Sequence, residues 1–295
     1  MNGEPWPRLP IEEWHDTCDT LHMWSQVVGK LTLRTTPLMN HYWNVAFQLT
    51  ARGIATRPMT VGGRTMVAAF DFISHVLRFD LSDGSSIILP LEPMTVSDFH
   101  ARIMETLQRL GTPIHVWTMP CEVPDPIPFD KDIVHRSYDR EWANAFWRTL
   151  DAVRPVFEEF RCGFIGKCSP LHFFWGSFDL AVTRFSGRRA PAKPQADPIT
   201  RESYSHEVIS HGFWPGGGDV DASFYAYTAP EPEGYANAAV APGSARYDTH
   251  FREFLLPYEE VRAAVSPETK LLAFLRSTYD AGADLASWDR AALER

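Results

Sequence analysis

The stretch TMVAAFDFISHVLRFDLSDGSSIILPL, Thr65 to Leu91, decides the fold class. Its β-branched and aromatic residues fall into three runs, Thr65 to Phe72, Val76 to Leu81 and Ser86 to Leu91. The links are short, and one holds Asp83-Gly84, a pair suited to a hairpin turn. Parallel neighbours need a crossover of roughly a dozen residues, so these runs pair antiparallel. Upstream, Gly62-Gly63 supplies another turn and Tyr42 to Ala51 reads as a further strand.

Helical periodicity flanks this block. Trp14, Leu21, Trp24 and Val28 recur on one helix face before it. Phe99, Ile103, Leu107 and Leu110 do so after it, with Thr95 or Ser97 as cap and Gly111 as stop. A third stripe is Trp142, Phe146, Leu150, Val153 and Phe157, and a fourth is Leu271, Leu275 and Thr278. Ser266 suits the fourth helix's N-cap, and Pro267 its first turn, where the missing N–H costs nothing. Further strands are expected at Leu171 to Phe185, Glu207 to Phe213, Phe224 to Thr228 and Phe251 to Tyr258.

The same landmarks occur twice in order. Glu13-Trp14 is answered by Glu141-Trp142, and Pro37-Leu38 by Pro170-Leu171. His41-Tyr42-Trp43 is answered by His172-Phe173-Phe174, and Phe47-x-Leu49 by Phe178-x-Leu180. Leu89-Pro90 precedes the second helix as Leu256-Pro257 precedes the fourth. The expected fold is therefore α+β, with two diverged copies of a helix–antiparallel sheet–helix unit packed as one pseudo-symmetric body. The copies span residues 1–125 and 126–295, joined through the Pro-rich stretch Pro120 to Asp132. The second copy carries three insertions, Gly187 to Ser203, Pro215 to Ala222 and Ala229 to Ala245. Long loops on a rigid scaffold often carry function, which places the expected site in the second half, under the first insertion.

Of the 295 residues 44% are apolar and 22% charged, enough for a large core. The net charge of −9 argues against a nucleic-acid partner, which needs clustered Lys and Arg. No run approaches the roughly 18 apolar residues of a membrane helix. Met1 to Pro5 lacks the basic start and apolar run of a leader, and Cys18, Cys121, Cys162 and Cys168 form no C-x-x-C pair. A cytoplasmic protein with free thiols and a small-molecule ligand or substrate is expected.

The densest chemistry lies in Ser205 to Gly216. Its two histidines are five apart, not the four that would bring them to one helix face as zinc ligands. Read as a strand, Glu207 and His211 share one face, about 13 Å apart, and His206 faces the other way. Asp179 interrupts an apolar strand, where a carboxylate needs either a partner, such as Arg184, Arg188 or Arg189, or an acid–base role. His41 and His172, one per copy, are expected to tie a turn to each sheet. The candidate catalytic set is Asp179, Glu207, His172 and His211. The candidate ligand-binding set is Trp175, Trp214, Tyr225, Tyr227, Arg184 and His206. No metal ligand and no cofactor is assigned, since Gly216-Gly217-Gly218 lacks the Lys-Ser/Thr of a phosphate loop and no dinucleotide fingerprint occurs.

SPLHFFWGSFDLAVTRFSGRR, Ser169 to Arg189, and HEVISHGFWPGG, His206 to Gly217, resemble the bacterial domain-of-unknown-function family 5996. So do Trp6-Pro7, Leu9-Pro10 and the stretch Thr36 to Arg52. The resemblance spans nearly the whole chain, which implies a complete member, and it implies no activity. The leading functional expectation is a small-molecule enzyme, a hydrolase or isomerase using acid–base carboxylates and histidines in an aromatic-lined pocket. The alternatives are a non-catalytic ligand-binding or assembly protein and, third, a metal-dependent hydrolase or oxygenase.

Overall fold

The computed structural model describes residues 4–218 and 220–295. Residues 1–3, part of the leader reading, and Asp219, inside the expected insertion at Pro215 to Ala222, lie outside the described residues.

The apolar stripes form helices where expected. α1 (Ile11–Thr35) leads into a first sheet of β1 (Gln48–Thr50), β2 (Gly53–Ala55), β3 (Met59–Val61), β4 (Arg64–Asp71), β5 (Val76–Leu81) and β6 (Ser86–Pro90). Its order is β1-β2-β4-β5-β6 with β3 also on β4, and every pairing is antiparallel. α2 (Val96–Arg109) follows, capped by the Thr95 hydroxyl, which accepts from the Asp98 amide. α3 (Arg140–Cys162) begins at Asp139, whose carboxylate accepts from the Glu141 and Trp142 amides.

The second sheet holds β7 (His172–Phe174), β8 (Asp179–Arg189), β9 (His206–Gly217), β10 (Val220–Ala229), β11 (Arg246–Asp248) and β12 (Glu253–Pro257). Its order is β11-β12-β10-β9-β8-β7, again all antiparallel. α4 (Pro198–Ser203) lies between β8 and β9, and α5 (Tyr258–Arg262), α6 (Pro267–Leu285) and α7 (Arg290–Leu293) follow β12. Pro267 opens α6, but the Ser266 hydroxyl pairs with that of Thr269 and does not cap the helix. The chain is α+β, with seven helices and two antiparallel six-stranded sheets among the described residues.

Leu89 lies on β6, at the edge of the first sheet, whereas Leu256 lies on β12, inside the second sheet between β10 and β11, so this expected pair occupies non-equivalent strands. The histidine pair does not correspond: His172 opens β7, whereas His41 lies in a 3-10 turn, Asn40–Tyr42, with φ of 57°. Tyr42 also has positive φ. The first part of the strand expected at Tyr42 to Ala51, Tyr42 to Val45, is therefore a turn; Gln48–Thr50 forms β1, and Phe47 makes a separate bridge. The expected insertion Pro215 to Ala222 is not a long loop among the described residues, because β9 runs on to Gly217 and β10 starts at Val220.

A backbone bridge joins the two sheets. The Phe47 amide donates to the Phe173 carbonyl at 2.8 Å, and the Phe173 amide returns the bond at 3.0 Å. Both rings are fully buried, and a single apolar core runs through both halves. α1 packs on α2 and β3, and also on β9 and β10.

Alternation along the second sheet divides its residues between two covered faces. Leu180, Val182, Ile209, Phe213, Phe224, Phe254 and Leu256 are buried towards the layer that holds α3 and α6. The alternate positions line a cavity.

Candidate functional site

The cavity holds about 620 Å³, within the usual range for a small-molecule site. Its back wall is the second sheet: Asp179, Ala181, Thr183 and Phe185 of β8, Val208, Ser210 and Trp214 of β9, Ser223, Tyr225 and Tyr227 of β10, and Glu253 and Leu255 of β12. Ile199, Thr200 and Ser203 of α4 and the adjoining Tyr204 cover it, so the end of the long loop after β8 does lie over the cavity. The first half closes the rest with Leu33, His41 to Trp43, Val45, Cys121 and Glu122.

Asp179 opens β8 directly after Phe178, a non-glycine residue held at φ of 59°. It is 5% exposed. Ser177 donates its hydroxyl to one carboxylate oxygen at 2.6 Å, and Tyr225 donates its phenol to the other in a very short bond. Burial raises the Asp179 pKa, and these two hydroxyls lower it in part. None of Arg184, Arg188 and Arg189 forms an ion pair with it.

Two further carboxylates share the compartment, and neither stood out in the sequence. Glu253 is half-buried, and burial together with the Asp179 charge pushes its pKa up to about 7. Glu122 is exposed, although partial desolvation and the Asp179 charge raise its pKa too. Its carboxylate lies against Gly176, where an added β-carbon would sit 2.9 Å from a Glu122 oxygen. The backbone beside it is clamped by the buried Gln26 of α1, which donates to the Cys121 carbonyl and accepts from the Cys121 amide, both at 2.8 Å.

The aromatic wall is built by close approaches. Trp175 donates its indole N–H to the Val45 carbonyl at 2.9 Å and lies on Gly29 of α1, where a β-carbon would fall 2.2 Å from its ring. Tyr225 and Tyr227 stack nearly parallel, with 6.1 Å between ring centroids. The Tyr204 hydroxyl donates to that of Tyr227 at 3.1 Å. The charges of Glu253, Asp179 and Glu122 all act on the Tyr204 phenol.

Of the expected catalytic residues, only Asp179 lines the cavity. Glu207 and His211 share a face of β9, as alternation requires, but it is the face towards the helices. Glu207 pairs with Arg188 at 2.7 Å and accepts from Ser186 at 2.8 Å. Arg188 also donates to the Ala286 and Ser287 carbonyls beyond α6, so the pair clasps a helix end. His211 is fully buried against Phe160, with Nε2 3.0 Å from the Thr278 hydroxyl. His172 is buried behind the wall beside Trp43 and Phe174, and among the described residues neither of its ring nitrogens has a partner. Burial pulls its pKa down to about 4.

Of the expected ligand-binding residues, Trp175, Trp214, Tyr225 and Tyr227 line the cavity. Arg184 does not: its guanidinium lies 3.6 Å from the Phe160 ring centroid and 4.2 Å from that of Tyr279, and it donates to the Phe160 carbonyl. His206 stands outside the lining, 5.7 Å ring to ring from His41. His41 itself does line the cavity and ties α4 down. Its amide donates to the Glu202 carboxylate at 2.9 Å, and its Nδ1 lies 3.2 Å from the Glu202 carbonyl. Lys167 approaches its Nε2 at 2.6 Å.

Among the described residues no three His, Cys, Asp or Glu side chains are placed to hold a metal ion, and no helix is long and apolar enough to cross a membrane. A family model described as a family of unknown function, DUF5996, matches residues 6–295. The chain belongs to the DUF5996 family. No curated protein and no solved structure matches it. For DUF5996, then, the cavity chemistry of this member is the starting point for function.

Proposed function

We propose that this DUF5996 protein is an enzyme that moves a proton on a small molecule held in the cavity. The observation that carries the reading is Glu253, a carboxyl pushed up to about 7 beside the more deeply buried Asp179. A group that titrates near neutrality can both give and take a proton under working conditions. Unlike environments for neighbouring carboxyls are how one site divides acid and base work. In this reading Glu253 exchanges the proton. Asp179, with Ser177 and Tyr225, orients the ligand's polar group, and the aromatic wall holds its apolar body.

Non-catalytic binding is the second reading. It is favoured by Asp179, whose two oxygens already accept from Ser177 and Tyr225, an arrangement suited to an anchor. The small-molecule reading goes with a cytoplasmic protein that engages neither nucleic acid nor membrane, and with two sheets descended from one duplicated unit. The free cysteines and the net charge of −9 support the first two points, whereas the strand orders of the two sheets differ, so the duplication rests on the repeated sequence landmarks alone.

The test is to incubate the purified full chain with pooled small metabolites and follow each compound by mass spectrometry, beside Glu253→Gln and Asp179→Asn. Consumption by the wild type that drops at least a hundredfold in Glu253→Gln supports the enzyme. Compounds that raise the melting temperature yet are recovered unchanged support the second reading.

A further inference from the structure

The cavity is electrostatically one-sided. Its lining contains Glu122, Asp179 and Glu253 and neither lysine nor arginine. Its basic group is His41, whose Nδ1 faces the carbonyls of Glu202 and Ser203 and whose Nε2 faces Lys167. If Nδ1–H donates to those carbonyls, Nε2 is left to accept from Lys167, and the ring is neutral. Glu122 and Glu253 form no hydrogen bond or ion pair among the described residues, although they share a compartment with Asp179. Asp179 is buried, Glu253 is half-buried and Glu122 is exposed beside them, and the nearby ammonium groups, Lys167 against His41, Trp43 and Phe185 and Lys193 over Tyr204, form no ion pair among the described residues with any of the three. Carboxylates withdrawn from water without a paired counter-charge cost stability, and natural structures normally pair them.

The walls carry the same preference. Trp214, Tyr225 and Tyr227 line the same cavity as these carboxylates, as does Tyr204, over whose ring Lys193 lies at 4.9 Å. Aromatic faces present negative charge density and attract cations within about 6 Å of the ring, most strongly where water is excluded. An anionic ligand would meet three carboxylates and an aromatic wall that offers it no counter-charge. A neutral ligand would leave the carboxylates uncompensated.

Resting on the reading of the cavity as a small-molecule site, we infer that its ligand is an organic cation, an ammonium group on a ring-bearing or branched apolar body. The ammonium sits among Asp179, Glu253 and Glu122, and the body lies against Trp214, Tyr225 and Tyr227. The volume admits a body of one or two rings. A bare alkali or divalent ion would leave the aromatic wall unused.

Three probes of one shape separate charge from fit: phenethylamine, 2-phenylethanol and phenylacetate, with benzyltrimethylammonium as a fourth that cannot donate a hydrogen bond. They are titrated calorimetrically into the full chain at pH 7.5 and physiological salt. The expected order is amine tighter than alcohol by at least tenfold, with phenylacetate weakest. Glu253→Gln should weaken the amine about tenfold, leave the alcohol unchanged, and raise the melting temperature of the free protein by removing an uncompensated charge. A merely structural Glu253 would not couple those effects. Should Glu253→Gln fail to fold, Glu122→Gln, on an irregular connector, makes the same comparison. Alcohol or phenylacetate binding as tightly as the amine overturns the cation assignment and leaves the small-molecule reading intact. No binding by any probe at millimolar concentration also overturns it, and the metabolite incubation then decides the enzyme reading separately.

Discussion

Tyr225 reaches Asp179 across the strand between them, over Gly212. Tyr225 pairs in register with Gly212, and Gly212 with Ala181, so the phenol crosses β9 diagonally to meet the carboxylate on β8. A β-carbon on Gly212 would fall 2.2 Å from the Tyr225 hydroxyl oxygen. Gly212→Ala should therefore push the ring off Asp179 and cost about 1–3 kcal/mol in urea unfolding, the usual penalty of overpacking. A variant as stable as the wild type would mean that the ring moves aside freely.

Glu253 gives the pH dependence a defined sign. Its pKa rises on folding from 4.5 to about 7, so between those values the native state holds a proton that the unfolded chain has lost. Raising pH through that window removes stability, and the loss is complete above 7. Glu253→Gln never ionises. Its stability relative to wild type should climb from pH 5 to pH 8, by at most about 3 kcal/mol before solvent screening. Parallel denaturation curves at the two pH values would reveal a flat difference if Glu253 were not perturbed.

His172 acts in the opposite direction. It stays neutral in the fold, with a pKa near 4 against 6.5 for the free group. Below pH 6.5 the unfolded chain takes a proton that the native state refuses, so stability falls as pH falls. His172→Leu should be nearly neutral at pH 7, because both ring nitrogens are already unpartnered, and should be the more stable protein at pH 5 by about 2 kcal/mol. Equal acid sensitivity in the two proteins would refute the assignment.

Glu207 predicts a small effect. Its partner Arg188 has a side chain 48% exposed, which places the pair in the class contributing about 0–1 kcal/mol. Glu207→Gln should lower the melting temperature by a few degrees at most and leave binding of any cavity ligand unchanged. Loss of ligand affinity without loss of stability would return Glu207 to the site.

The helices were legible because amphipathic stripes and polar caps are local signals: Thr95 and Asp139 cap the helices that the Phe99 and Trp142 stripes announce. Gly63 and Gly84, at φ of 77° and 86°, turn the hairpins that decided the fold class. Tyr42 to Phe47 misled because aromatic-rich text suits a strand and a cavity wall equally. Alternation put Glu207 and His211 on one face, but both faces of the second sheet are covered, so phase alone could not say which one meets the cavity. The same phase, carried from Asp179 through the pairing register to β12, would have found Glu253. Nothing local marks Glu122, whose role depends on α1 holding the chain at Cys121.

The paired amides of Phe47 and Phe173 make the cavity common property. Residues before the seam supply Glu122, His41 and the Trp43 wall, and residues after it supply the sheet and its cover. Neither half owns a complete site, and each alone would bare a strand edge. The two halves are therefore bound to change together: an exchange of either one for a foreign version would have to preserve a shape that only its partner can read.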